Sequence, residues 1–330
     1  MKFLHTILGK LPEFQELERA VQSGALPAAA TGLSTVHKAT FIASLCVRQK
    51  KKAFVLTGEE AEAQRLCEDL RSMGLRPLFY PYRDFALRDT EGASHEYERQ
   101  RLQVLALMAA GDYDAVLCCP DAALQYTLPP AELRRRTVSL HPGQSITMEQ
   151  VETALLACGY ERAVQVDGSG QFSRRGGILD VFTPDAEQPA RLEFWGDEID
   201  TISLFDVETQ RRADSVEELI LAPAVEALAD DPAALAEKIR RLASSLRGKT
   251  APKAKEILSA QADKLAQELH LGCLDKFITL LYDKTATLFD YAGDDTLFFL
   301  SESAKCRERM RSTLWQWGED VKDYLEEGVL

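Results

Sequence analysis

The first residues whose types and spacing could do chemistry lie in the run AAATGLSTVHKATFIASL, Ala28 to Leu45, where Gly32 and Lys38 precede an amphipathic stretch. That is the frame of a phosphate-binding loop, GxxxxGK[ST], in which backbone amides wrap phosphates, the lysine reaches the β and γ phosphates, and the hydroxyl ligates magnesium. Gly32 and Lys38 keep the frame, but His37 replaces the second glycine and Ala39 replaces the hydroxyl. The imidazole of His37 crowds a backbone that must approach phosphate closely, and Ala39 offers a metal no oxygen. Thr40 comes one residue late and, on a helix, points about 100° away.

The other half of such a site is a strand ending in Asp-Glu, where aspartate holds the magnesium shell and glutamate activates water. In TLFFLSESA, Ser301 stands at the aspartate position and Glu302 remains. Both magnesium-holding positions are changed together. This predicts a vestigial nucleotide site of Gly32, His37, Lys38, Ala39, Ser301 and Glu302, with no catalytic residue, no metal and no ATP hydrolysis. Weak phosphate binding at Gly32 and Lys38 stays open, since a helix amino terminus still offers dipole and amides.

The elements that must position these residues follow from periodicity. From Pro12 to about Asp121, strand-like runs (PAAATG, KAFVLTG, PLFYP, DAVLCCP) alternate with amphipathic helices, the pattern of crossover units and a parallel sheet. After the adjacent prolines Pro129 and Pro130 come one helix, Thr147 to Cys158, and the consecutive strands RAVQV, GQFSRRGGILDVFTP and ARLEFWGDEIDTISLFD. Tight glycine turns between such strands predict a small antiparallel α+β domain. The rest is helical except for TLFFL, which predicts that this lone strand joins the first sheet. The expected architecture is a nucleotide-fold-like α/β domain, degenerate in its phosphate loop, split by an inserted small domain. Its parts are 1–125, the insert 126–212, and 213–330, a helical segment plus the completing strand. The charged last helix points to a fragment of a longer protein.

Lys and Arg total 39 against 52 Asp and Glu, a net charge of −13, which disfavours whole-chain attraction to nucleic acid or anionic membrane. The 7 cysteines show no zinc spacing and read as reduced, buried thiols of a cytoplasmic protein. No apolar run approaches the roughly 20 residues of a membrane span. The basic triplet Arg134, Arg135 and Arg136 reads as a solvated junction face beside Glu132 rather than a DNA patch. Trp315 and Trp317 lie roughly 200° apart around a helix and face different ways.

The segment Gln165 to Arg212, with RGGILDVF, FWGDEID and FDVETQR, resembles the small domain shared by the nucleotide-excision-repair protein UvrB and the transcription-repair coupling factors (Mfd). The stretches from FYPYRDFALRDTEGASHEYERQRLQV to DAVLCCPDAAL and from LDKFITLLYDKTATLFDY to TLFFLSES resemble the coupling-factor side of that pair. UvrB-like proteins keep an intact phosphate loop and a long aromatic hairpin, for which the interval from Asp84 to Leu102 is too short. The resemblance implies a non-catalytic module that recruits UvrA to stalled RNA polymerase. It also implies masking of the same surface by a carboxy-terminal domain of the full-length protein. RNA polymerase, DNA, and ATP with magnesium would then engage other domains, and this module would need no cofactor. The alternative is an ATP-dependent, UvrB-like helicase subunit.

For UvrA binding, the resemblance carries over to Arg162 in GYERAVQV and Arg175 in SRRGG, arginine being suited to two-pronged pairing with carboxylates. UvrB has a further arginine where Ser173 stands here, with Arg174 adjacent but on the opposite strand face. Phe182, an aromatic beside the arginines, and Arg174 complete the UvrA-binding candidates, with a core position as the alternative for Phe182. Gly176 and Gly177 read as turn residues.

Overall fold

A computed structural model of the chain describes residues 2–88, 95–267 and 271–329. In chain order its elements are α1 (Lys2–Leu8), α2 (Pro12–Ser23), α3 (Thr35–Gln49), β1 (Lys52–Leu56), α4 (Glu60–Ser72), β2 (Pro77–Phe79), α5 (Glu96–Ala110), β3 (Ala115–Cys118), α6 (Pro120–Leu124), α7 (Pro130–Arg136), β4 (Val138–Leu140) and α8 (Met148–Ala157). There follow β5 (Glu161–Arg162), β6 (Gln171–Arg175), β7 (Ile178–Phe182), β8 (Ala190–Trp195), β9 (Glu198–Phe205), β10 (Arg212–Ser215), β11 (Leu219–Leu221), α9 (Pro232–Ser245), α10 (Ala251–Ala266), α11 (Ile278–Leu281), β12 (Thr296–Leu300) and α12 (Ser303–Glu327). Two compact units result: Met1–Tyr82 with Leu107–Gln125 and Tyr291–Leu314, and Arg83–Ala106 with Tyr126–Asp290 and Trp315–Leu330. Of the segment 213–330 expected to complete the first domain, only 291–314 groups with the parallel sheet.

In the first unit, β12-β1-β3-β2 form one parallel sheet. TLFFL pairs in register with β1, Phe54 opposite Phe298. Helix α3 buries Ala39, Ile42, Ala43 and Cys46, and α4 buries Ala63, Leu66, Cys67 and Leu70, each at the i, i+3, i+4, i+7 spacing of one helical face. These meet Ala53, Val55, Ala115 and Leu117 of the sheet. Gly58, just past β1, lies against the first turn of α12, where a β-carbon would stand 2.5 Å from the Lys305 Cβ. Only glycine fits there without displacing α12.

PAAATG is not a strand. Residues 25–32 are exposed and irregular, because proline and three small alanines supply neither branched nor aromatic surface to bury against a neighbouring strand.

In the second unit the hairpins build a sheet of order β10-β9-β8-β7-β6-β5, antiparallel except for the β5–β6 pair. Helix α8 covers one face with Met148, Val151 and Leu155 against Phe172, Leu179, Val181 and Leu192. RAVQV pairs through Arg162, and the Ala163 amide still donates to the Phe172 carbonyl at 2.8 Å, after which the chain leaves the sheet. β4 and β11 pair separately, and α9 and α10 form a further core around Leu235, Ile239, Leu258 and Ala262. The 7 cysteines are free and buried. Among the described residues no helix is long and apolar enough to cross a membrane.

Candidate functional site

Both candidate sites are built within single units. In the first, α3 begins at Thr35 after Ser34, whose Oγ lies 3.1 Å from the His37 Nδ1. Gly32 has a φ of 76°, a left-handed turn in open solvent. One turn into α3, Lys38 Nζ reaches across the carboxyl ends of the strands. It donates to Glu62 Oε1 at 3.1 Å, Ser301 Oγ at 2.9 Å and Glu302 Oε1 at 2.8 Å. Ser301 in turn donates to Glu62 Oε1 at 2.6 Å. Burial works to lower the Lys38 pKa, but its bonds to Glu302 and Glu62 outweigh that and keep it above the ordinary lysine value. The same bond to Lys38 holds Glu302 below the ordinary carboxylate value.

An ammonium has three donors, and here three oxygens of the chain accept from them. Lys38, Glu59, Glu62, Arg65, Glu302 and Lys305 border a shallow cleft of about 250 Å³. The residues present do not fit a magnesium-bound triphosphate. Lysine is occupied by carboxylates that would repel phosphate, and Ala39 is fully buried among apolar groups. Sequence reasoning brought Lys38, Ser301 and Glu302 together but missed Glu62, the acceptor that joins them.

The second site is the β6–β9 sheet. Cross-strand pairing aligns Ser173, Asp180, Arg191 and Ser203 in one row and Arg175, Ile178, Glu193 and Thr201 in the next. Both rows lie on the face away from α8, since the alternating residues Phe172, Leu179 and Leu192 pack on the helix side. Asp180 is 1% exposed and is held two-pronged by Arg191, at 2.7 and 2.9 Å. Its Oδ2 also accepts from Arg175 Nη2 at 2.7 Å, which fixes a guanidinium that stays half-exposed. A left-handed φ of 59° at Gly176 closes the β6–β7 turn beside it.

Arg162 lies on the other side. It pairs with Glu152 of α8 at 3.0 Å, and Arg174 bonds Glu149 at 2.6 Å and Glu152 at 3.1 Å. The structure thus joins Arg162 with Arg174 through Glu152 and sets Arg175 on the opposite face with Asp180 and Arg191. Phe182 is half-buried on the Arg175 face but at the far end of β7, opposite Gln171. Ser173 is buried and donates to the Val164 carbonyl at 2.8 Å, so the position of the UvrB arginine here pins a loop. The Arg134–Arg136 run is not a solvated face throughout. Arg135 and Arg136 each bond Asp230 at 2.6 Å, and Arg136 is buried. Trp315 is 67% exposed, while Trp317 is half-buried.

Residues 138–226, which span this sheet and α8, match the UvrB interaction domain family. In this stretch the chain is therefore similar to modules of the UvrB interaction class. Over its whole length it is also 30% identical to the transcription-repair-coupling factor of Bacillus subtilis and, over 99% of its length, 26% identical to that of Staphylococcus aureus strain MRSA252. It spans 29% and 28% of those two proteins and is a relative of the transcription-repair-coupling factors.

Proposed function

We propose that this chain is the UvrB-homology module of a cytoplasmic transcription-repair coupling factor, and that its six-stranded sheet recruits UvrA for transcription-coupled excision repair. The observation that carries the reading is the match of residues 138–226 to the UvrB interaction domain. Arg175 supports it, as a half-exposed guanidinium oriented by a buried carboxylate is pre-organised for an acidic partner surface. Arg162 and Arg174, on the α8 side, would form a second contact reached around the short β5 edge.

The first unit serves in this reading as a degenerate nucleotide fold interrupted by the interaction domain, without catalysis or cofactor. Stalled RNA polymerase and DNA are engaged by other parts of the full-length protein, whose carboxy-terminal domain masks the UvrA-binding sheet. Titration of UvrA with this chain tests the proposal: Arg162→Ala with Arg175→Ala should weaken binding by about 2 kcal/mol or more. Equal affinity of the double variant would refute the site, and the full-length protein should bind more weakly than this chain if masking operates. Calorimetry with ATP and magnesium should register no heat of binding, whereas micromolar affinity would revive the helicase alternative.

A further inference from the structure

One end of the β6–β9 face carries an exposed tryptophan. Trp195, the last residue of β8, is 84% exposed although its backbone is paired with Glu198. The β8–β9 register shifts between Glu193 and Phe194 with the extra residue, Asp200, on β9, so β8 keeps its own alternation: Phe194 packs on the α8 side and Trp195 falls on the face that bears Arg191 and Glu193. The row Arg175, Ile178, Glu193 runs across that same face just before the two neighbouring hairpin turns. At ordinary strand spacing, the Trp195 Cα stands roughly 12 Å from that of Arg175, with half-buried Ile178 between them. That distance is within one interface hot spot.

Away from this end the loop after β5 leaves Val164 94% exposed, but the strand face itself is covered. At the other end Val166 and Phe205 are fully buried, Ser173 ties down the Val164 carbonyl, and Gln210 Nε2 bonds the carbonyls of Val207 at 2.8 Å and Val166 at 3.5 Å. The chain thus covers half of the face and leaves the half with Arg175, Ile178 and Trp195 open. An indole presents a large, stiff apolar surface with one N–H donor, and tryptophan and arginine are the residue types that dominate interface energetics.

We propose that Trp195 is the apolar anchor of the UvrA-docking face. It enters an apolar pocket of UvrA whose rim carries the carboxylates that meet Arg175. This rests on the recruiting function proposed above. UvrA is the occupant because Trp195 is continuous with Arg175 within the matched interaction domain.

The test is UvrA binding by the chain and by Trp195→Ala, Trp195→Glu, Arg175→Ala and Trp315→Ala, with the thermal midpoint of each. Trp315 is the control, an exposed tryptophan on α12 outside the matched domain. Expected are an about tenfold or greater loss for both Trp195 variants, affinity within about twofold for Trp315→Ala, and unchanged midpoints. Undiminished binding by the Trp195 variants while Arg175→Ala weakens would overturn the anchor and leave the recruiting function standing. No binding by the unaltered chain would instead overturn the recruiting function, and the anchor with it. A fall in midpoint alongside lost binding would assign Trp195 to the fold, and self-association of the free chain that Trp195→Ala abolishes would assign the patch to a second copy. Either result overturns the proposal.

Discussion

At the scale of single residues, Lys38 and Arg175 are cations that the chain handles in opposite ways. Arg175 shares the Asp180 carboxylate with Arg191 and keeps half its surface in solvent, so its charge is oriented but available. Lys38 spends its donors internally, on Glu62, Ser301 and Glu302. Its side chain is 17% exposed and that of Glu62 15%, so the pair is screened less than a surface ion pair. Replacing Lys38 by Met should leave Glu62 without its cation and lower the unfolding free energy by about 1–2 kcal/mol. Replacing both Lys38 and Glu62 by Met should recover part of that loss, because no buried charge is then left unpaired. Urea unfolding of the four species of this cycle checks it. Additive losses would show that the two side chains do not depend on each other.

At the scale of elements, the sequence was most readable where side-chain period and local chemistry agree. Helix α8 is marked by Thr147 and Gln150, which form a reciprocal capping box at 3.2 and 2.9 Å, followed by apolar residues at helical spacing. Both long hairpins of the interaction domain are legible from alternation and from glycines at their turns. PAAATG and RAVQV were not, for different reasons. The first has the position of a strand in a phosphate-loop fold but no side chains worth burying. The second has strand-like residues, yet Ser173 captures the Val164 carbonyl and leaves Val164 94% exposed. Glu62 escaped because a glutamate on an amphipathic helix is unremarkable until folding sets it beside Lys38. Asp180 and Glu152 escaped in the same way, as each acquires meaning only from the arginines that converge on it.

At the scale of the molecule, the second unit is tied together by charges from segments far apart in sequence. Arg83 holds Asp275 two-pronged at 2.7 and 2.8 Å and reaches Glu226 at 3.2 Å, and Arg101 Nη2 bonds Glu226 at 3.2 Å. Glu98 accepts from the Glu226 amide at 2.7 Å and lies 2.7 Å from His95 Nδ1 at the rim of the cluster. Three carboxylates against two guanidiniums leave an excess of negative charge that a protonated His95 offsets. The hydrogen bond to Glu98 raises the His95 pKa, against burial and the Arg99 charge and with help from Glu98 and Glu161. A histidine whose folded pKa lies above its unfolded value of about 6.5 stabilises the fold fully below that value, and the contribution fades as pH rises through the folded pKa. Stability should therefore fall as pH rises from about 6.5 through the raised folded pKa of His95 in the native chain. His95→Gln, which keeps a donor beside Glu98 but does not titrate, should flatten that slope. Guanidinium unfolding at intervals across this range checks the expectation, and an equal slope in the variant would assign the pH dependence to other groups.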